Sequence, residues 1–199
     1  MNIIEEKYKW SGGLVNRTDT KYIVLHHRAG SGDVQSIHQT HLANGWSGIG
    51  YHFYVRKDGT IYRGRPLYSV GAHCLGRNGI SIGVCFEGNF QSEVMPEEQT
   101  KAGCELIGYL KKIYPDAEIK KHSELVSTSC PGKNFPFEII KGGVAVKNLT
   151  EPNDIIWELM HGKLKIEITE VDRAVRTLEE AKRANSSLYW IIRKIVNSI

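Results

Sequence analysis

Short apolar runs separated by polar segments predict the strands of this chain. Tyr22–Leu25 and Ile80–Phe86 are rich in β-branched residues and have the length of buried strands. Tyr51–Arg56 and Thr60–Arg63 flank Lys57-Asp58-Gly59, and an Asp-Gly pair between two such runs predicts a β-hairpin.

Two further segments have the spacing of helices. Asp33–Asn44 carries apolar residues at helical intervals and is followed by the glycine-containing segment 45–48. Pro96–Tyr114 starts with a proline and two glutamates, which suit the first turn of a helix, and it ends before Pro115. Strands that alternate with helices predict an α/β domain over residues 1–140, with a central mixed sheet flanked by helices.

The pattern changes after residue 140. Residues 141–152 contain Lys-Gly-Gly and Asn-Leu-Thr-Glu-Pro, which is typical of a linker. Residues 153–199 show only helical spacing and predict a small all-helical C-terminal region. About 50 residues in two or three helices are marginally stable alone. We therefore expect this region to pack on the first domain, on a partner or on a second copy.

Composition and charge exclude several classes of protein. Hydrophobic residues make up 41% and charged residues 24% of the chain, as in ordinary globular proteins. The net charge of +4 is too small to indicate a nucleic-acid-binding protein. Residues 151–199 contain eight basic and eight acidic residues, so the whole excess lies in the first 150 residues. A mild positive field there would favour an anionic polymer.

The four cysteines and the N-terminus indicate synthesis in a reducing compartment. The cysteines contain no CxxC pair and no short spacing, so they do not predict a disulfide framework. Met1–Lys7 lacks the basic start and apolar core of a signal peptide. No run approaches the roughly 20 apolar residues that a membrane span needs. A substrate outside the membrane would therefore require another route of export, such as a holin-type pore.

Histidine and cysteine are the candidate metal ligands. His122 and Cys130 lie in one Ser/Thr-rich segment that a Pro-Gly pair ends, and His26 and His27 follow the buried run Tyr22–Leu25. Two histidines and a cysteine could form a three-ligand zinc site with a fourth position open for water, as catalytic zinc sites have. The pattern predicts a metal-dependent hydrolase.

Several separated segments resemble the type 2 N-acetylmuramoyl-L-alanine amidases, the family that includes bacteriophage T7 lysozyme and the peptidoglycan recognition proteins. The resemblance covers roughly Tyr22 to Phe137. Its segments occur in the family's order: Ile23-Val-Leu-His26-His27, Gly50-Tyr-His-Phe53, Val70-Gly-Ala-His73, Ser81-Ile-Gly-Val84 and His122 with Thr128-Ser-Cys130-Pro-Gly132.

The resemblance implies a zinc-dependent peptidoglycan hydrolase. His26, His122 and Cys130 are expected to hold Zn²⁺, and His26 is preferred to His27 because the family's ligand directly follows the strand. The implied reaction cleaves the amide between N-acetylmuramic acid and the L-alanine of the stem peptide. A thiolate ligand would soften the effect of the metal on the acidity of bound water.

Other roles also follow from the resemblance. Tyr51 matches a tyrosine that orients water or donates to the tetrahedral oxyanion, and Thr128 matches a position beside the metal. His73 and Asn78 match positions that line the muropeptide groove. Cys85 occupies a position where some branches carry a glutamate general base.

Several residues keep alternative interpretations. Glu87 would be a fallback base, and His27 is expected either to orient a ligand or to have no role at the metal. His52 is expected to face away from Tyr51. Core packing is favoured over sugar stacking for Trp46 and Tyr54. The remaining histidines, His38, His41 and His161, are expected on the surface or in helix packing.

The resemblance leaves open which biological role the chemistry serves. We expect an endolysin of a phage or prophage, and the alternatives are a bacterial autolysin of the same chemistry and a non-catalytic muropeptide-binding module. Non-enzymatic relatives carry serine at the position of Cys130, which favours the enzyme. The C-terminal helices are expected to target the wall or to form a homodimer.

Overall fold

A computed structural model of the protein describes residues 2–143, which form a six-stranded sheet covered on both faces. The strands are β1 (Ile3–Ile4), β2 (Tyr22–His27), β3 (Phe53–Val55), β4 (Ile61–Arg63), β5 (Ser81–Phe86) and β6 (Glu118–Lys121). The helices are α1 (Val34–Ala43), α2 (Glu97–Ile113) and α3 (Phe137–Lys141), with short 3₁₀ turns at Asn78–Ile80 and His122–Glu124. The predicted α/β class with a central mixed sheet is confirmed for these residues.

The strand order in the sheet is β1-β4-β3-β5-β2-β6. The hairpin pair β3–β4 is antiparallel and the other neighbours are parallel. The central strands β2 and β5 are buried along almost their whole length, which explains why their sequences are continuous apolar runs. Strand β2 extends to His27, so both histidines belong to the strand and do not follow it.

Side chains alternate along each strand, so the two faces of the sheet carry different sets of residues. One face packs against α2 and α3 in a large apolar core that includes Leu25, Phe53 and Phe86. The other face carries Tyr54 and Cys85, against which α1 packs. Side chains alternate along β2, so His26 lies on this second face, together with the polar side chains described below.

The predicted hairpin is present, but its strands are shorter than expected. β3 begins at Phe53, and in the turn the side chain of Asp58 accepts a hydrogen bond from Thr60 N at 2.9 Å. Gly59 has φ of +82°, which its lack of a side chain permits. Tyr51 and His52 therefore precede the strand, and the alternation of strand side chains does not apply to them.

Both predicted helices are confirmed, with ends that the sequence explains. Asp33 caps α1 by accepting a hydrogen bond from Ser36 N at 2.7 Å. Helix α2 begins after Pro96 with Glu97 and Glu98 in its first turn, where the positive end of the helix dipole favours carboxylates.

The sequence did not predict β1, β6 or α3. Strand β1 contains two residues, and β6 reads Glu-Ile-Lys-Lys at the sheet edge, with one apolar side chain and no apolar run. Helix α3 crosses the predicted domain boundary at residue 140 and ends at Lys141.

The rest of the predicted linker and residues 153–199, which were predicted to be helical and include His161, lie outside the described residues. Their predicted arrangement therefore stays a prediction. Across residues 2–143, no helix combines the length and the hydrophobicity that a membrane crossing demands.

Candidate metal centre

Three predicted ligands converge on one face of the sheet. Strands β2 and β6 are parallel neighbours with Leu25 paired to Lys121, so His26 and His122, which follow these two residues in the chain, lie side by side. Their ring centroids are 4.3 Å apart, and Cys130 Sγ lies 3.8 Å from His26 Nδ1. One ligand atom from each of these three side chains lies within 4.8 Å of the other two. The cluster has the donor set and the compactness of a three-ligand metal site.

Hydrogen bonds to the 3₁₀ turn at His122–Glu124 and within the loop itself hold the loop that carries Cys130. Cys130 O accepts from Ser123 N at 2.9 Å, and Cys130 N donates to Thr128 Oγ1 at 3.3 Å. Gly132 has φ of +105° and passes so close to Phe90 that an added Cβ would lie 2.4 Å from its carbonyl carbon. This close approach places the sulfur beside the end of β2.

Burial controls the protonation of the three ligands. It lowers the pKa of His26 well below its ordinary value, with further lowering by the nearby rings of His73, His122 and His27. It also lowers the pKa of His122 and raises the pKa of the Cys130 thiol to about 11. Both imidazoles are therefore neutral near pH 7 and can offer a lone pair. A bound cation is the partner that would favour the thiolate.

His73 was predicted to contact substrate, but its ring lies behind His26. His73 Nδ1 is 3.0 Å from His26 Nε2, and His73 Nε2 is 3.4 Å from Ser81 Oγ. The residue is only 9% exposed, and burial lowers the pKa of its ring well below the usual value. Both ring nitrogens thus face protein atoms.

Asn78, the other predicted substrate contact, also has a protein partner. Its Oδ1 accepts hydrogen bonds from the backbone N–H groups of His73 and Cys74, both at 2.8 Å. This bonding fixes the loop that carries His73. A role in binding substrate stays a prediction for both His73 and Asn78.

Tyr51 lies beside the ligand cluster, as predicted. Its ring centroid is 5.3 Å from that of His26. Burial raises the pKa of its phenol well above the ordinary value, and the neighbouring thiols of Cys85 and Cys130 raise it further. The phenol is therefore a stable hydrogen-bond donor at neutral pH. Its catalytic role stays a prediction.

Glu87, considered as a fallback base, is already hydrogen-bonded to three donors of the protein. Its carboxylate accepts hydrogen bonds at 3.2 Å from Gly32 N, Lys57 N and Arg56 Nε. Burial opposes ionisation, but these bonds outweigh it and lower the pKa of Glu87 below its ordinary value. A carboxylate committed to three donors stabilises the fold and is a poor proton acceptor.

His27 contributes through its backbone, which sequence reasoning did not predict. Its N–H donates to Cys130 Sγ at 3.4 Å, while its ring Nδ1 accepts from Phe90 N at 3.1 Å. The ring therefore does not orient a ligand. A backbone contact leaves no signature in residue type, so no pattern could have revealed it.

The prediction that His52 faces away from Tyr51 was based on strand alternation, which does not apply because both residues precede β3. The ring centroids of Tyr51 and His52 lie 6.4 Å and 5.7 Å from the His73 centroid. The structural role expected for His52 fits its hydrogen bonds: its ring accepts from Gly83 N and contacts Ser69 O, both at 3.0 Å.

The aromatic residues near the cluster differ from each other in exposure. Tyr54 is fully buried, as expected, but Trp46 is 42% exposed and packs against His41 in a tilted arrangement with ring centroids 4.6 Å apart. The expectation of core packing is therefore wrong for Trp46. His38 and His41 pack at the end of α1, where their Nδ1 atoms accept hydrogen bonds from Ile49 N and Gly50 N.

Comparison with known proteins gives one consistent result. A family model described as N-acetylmuramoyl-L-alanine amidase matches residues 16–133. An endolysin of Enterobacteria phage K11 is 37% identical over 103 residues, which are 49% of this chain and 68% of that protein. Peptidoglycan-recognition protein SC1a of Drosophila melanogaster is 32% identical over 147 residues, which are 66% of this chain and 77% of that protein.

A solved structure has the same fold. The N-acetylmuramoyl-L-alanine amidase LysC from Clostridium intestinale URNW superimposes with a TM-score of 0.70 and 43% sequence identity. The match covers 74% of this chain and 99% of that one. The residues matched by the family model include His26, His122 and Cys130.

Proposed function

The chain belongs to the N-acetylmuramoyl-L-alanine amidase family, and on that basis we propose that it is an endolysin that hydrolyses peptidoglycan. The bond cleaved is the amide between N-acetylmuramic acid and the L-alanine of the stem peptide. The observation that carries the proposal is the convergence of His26, His122 and Cys130 beside Tyr51. The protein acts on the bacterial cell wall during lysis.

Zinc is the metal that this donor set fits best. Two neutral imidazoles and a thiolate suit Zn²⁺, whereas the oxygen-preferring cations Mg²⁺ and Ca²⁺ would find no carboxylate in the cluster of described residues. His26, His122 and Cys130 would hold the ion and leave a coordination position open. Zinc at such a site lowers the pKa of water and polarises a carbonyl group.

Tyr51 supplies the hydrogen-bond donor of the site. Its phenol is protonated at neutral pH because burial raises its pKa. A rigid donor next to the ligands can stabilise the oxygen of the scissile amide as that oxygen gains negative charge. Thr128 Oγ1 accepts from Cys130 N, so its hydroxyl hydrogen is free to donate a second, neutral hydrogen bond.

The site carries no general-base carboxylate at the position of Cys85. Burial raises the pKa of the Cys85 thiol well above its ordinary value, so that thiol stays protonated and cannot accept a proton from water at neutral pH. Glu87 is committed to its three donors. The proton that the leaving α-amino group takes up is therefore delivered by Tyr51 or by solvent.

Product analysis on purified peptidoglycan tests the proposal. The wild-type protein is expected to release new N-terminal alanine without new reducing sugar ends. Cys130→Ser should lose both bound zinc and product, whereas Cys104→Ala removes a thiol from the core on the other face of the sheet and should retain both. New reducing ends would instead indicate a glycosidase, and binding without product would indicate a recognition module.

A further inference from the structure

We propose that Ser81 and His73 form a hydrogen-bond relay that fixes the tautomer of His26, so that the Nδ1 atom of His26 presents its lone pair to the metal. His73 is then a positioning residue for the metal ligand. The inference rests on the proposed function, because it assumes that His26 binds zinc.

The relay begins at a group whose role in hydrogen bonding is unambiguous. Ser81 Oγ lies 2.7 Å from Arg77 O, and a carbonyl oxygen can only accept. The single hydroxyl hydrogen of Ser81 is therefore used in that bond. Toward His73 Nε2, at 3.4 Å, Ser81 Oγ can act only as an acceptor. His73 thus carries its hydrogen on Nε2.

The tautomer of His73 then determines which nitrogen of His26 carries a hydrogen. A neutral imidazole has one donor nitrogen and one acceptor nitrogen, so His73 Nδ1 is an acceptor. His26 Nε2, at 3.0 Å from His73 Nδ1, must donate to it. His26 Nδ1 is left with a free lone pair, and this is the atom that faces Cys130 Sγ at 3.8 Å.

The packing around His73 prevents the ring from leaving this position. A Cβ added at Gly71 would lie 2.5 Å from His73 Cδ2, and one added at Gly83 would lie 2.5 Å from His73 Cγ. The ring therefore occupies space that two glycines leave open. Asn78 fixes the backbone of His73, and burial of Ser81 and His26 excludes competing water.

Two independent measurements test the relay. The first is the tautomer of His26 by nitrogen-15 NMR of the metal-free protein, which we expect to show hydrogen on Nε2 and a bare Nδ1. The second is the affinity for zinc ion alone, measured by competition with a chromophoric chelator. His73→Phe should weaken zinc binding about 10-fold to 100-fold, the usual effect of losing a partner of a metal-ligating histidine.

Matched variants distinguish loss of the relay from general destabilisation of the fold. His73→Asn keeps an acceptor oxygen near the position of Nδ1 and should recover most of the zinc affinity. Ser81→Ala removes the hydroxyl acceptor but keeps the backbone hydrogen bond of residue 81 to the His73 ring, so it should raise the population of His26 with hydrogen on Nδ1 and weaken zinc binding less than His73→Phe does. Ser69→Ala removes an equally buried hydroxyl that donates to Pro66 O at 2.8 Å, and it should change neither measurement.

The possible failures can be distinguished. A hydrogen on Nδ1 of His26 in the wild-type protein would overturn the relay, as would wild-type zinc affinity and tautomer in both His73→Phe and Ser81→Ala. If His73→Phe does not fold, the tautomer of His26 in the wild-type protein decides the matter. Absence of zinc binding by the wild-type protein would contradict the proposed function, whatever the tautomer.

Discussion

Cys85 lies directly opposite His26 in the parallel register of β5 with β2, so a buried thiol adjoins the predicted metal ligand at the position where the family resemblance implies a glutamate in some branches. The pKa of this thiol is raised by burial, which keeps it protonated. Cys85 lies close enough to His26 to be considered for proton transfer, but a thiol that stays protonated cannot accept a proton.

We therefore expect Cys85→Ala to retain most of the activity. Removal of a general base typically costs about 10²-fold to 10⁴-fold in rate, so a loss below about tenfold would show that Cys85 is not a base. The small cavity should lower the free energy of unfolding by about 1 kcal/mol. Turnover of peptidoglycan and urea unfolding measure the two effects, and a loss of 10²-fold in a folded variant would contradict this assignment.

Tyr51→Phe should lower kcat by about 10²-fold to 10³-fold, the effect of deleting one preorganised donor to an oxyanion. Zinc affinity should not change, because the phenol is not among the clustered ligands. The matched control is Tyr54→Phe, which loses a buried hydroxyl that donates to Gly32 O at 2.8 Å. That control should lose about 1 kcal/mol of stability and keep its kcat. Equal kcat values for the two variants would remove Tyr51 from the mechanism.

Glu87→Gln should destabilise the protein without slowing the reaction. Glu87 is 4% exposed, and its carboxylate accepts from two backbone N–H groups and from Arg56. Loss of its charge should cost about 1–3 kcal/mol of unfolding free energy. Glu93→Gln, a change at a more exposed ion pair with Lys57, should cost less. A large fall in kcat at full stability would restore Glu87 as a candidate base.

Stability should fall as the solution becomes acidic, partly because of His52. Burial lowers the pKa of His52 from its ordinary 6.5 to about 3, despite an opposing hydrogen bond to Ser69. Below pH 6.5 the unfolded chain therefore binds a proton that the folded chain does not. The free energy of unfolding should decrease between about pH 6.5 and pH 3, by up to about 1.4 kcal/mol per pH unit for this group.

His52→Asn isolates this contribution. Asparagine can still accept from Gly83 N, as His52 Nδ1 does at 3.0 Å, but it does not titrate. Urea unfolding of the chelator-treated proteins between pH 5 and 7 should give a shallower pH dependence for the variant. Parallel curves would mean that His52 has the same pKa in the folded and the unfolded chain.

The sequence was most informative where burial dictates residue type. Strands β2 and β5 are buried on both faces and therefore appear as continuous apolar runs. Strand β6 pairs only with β2 at the sheet edge, so its polar residues gave no such signal. The three residues of the cluster were predicted from the family resemblance, which also selected His26 over His27.

The surroundings of the ligands were not predictable. The placement of His73 behind His26 depends on a loop that folds over Gly83, and the hydrogen bond from His27 N to Cys130 Sγ depends on a backbone direction. Neither arrangement changes the type or the spacing of residues. Such contacts between segments distant in sequence emerge only from the three-dimensional packing.

The bare surfaces of Gly71 and Gly83 limit how this enzyme can be engineered. Replacing glycine by alanine is a common route to a more heat-resistant protein, because it restricts the unfolded chain. At these two positions a single methyl group would collide with the ring of His73. A variant stabilised at these positions from backbone geometry alone would displace the ring that adjoins His26, through two residues that have no side chain.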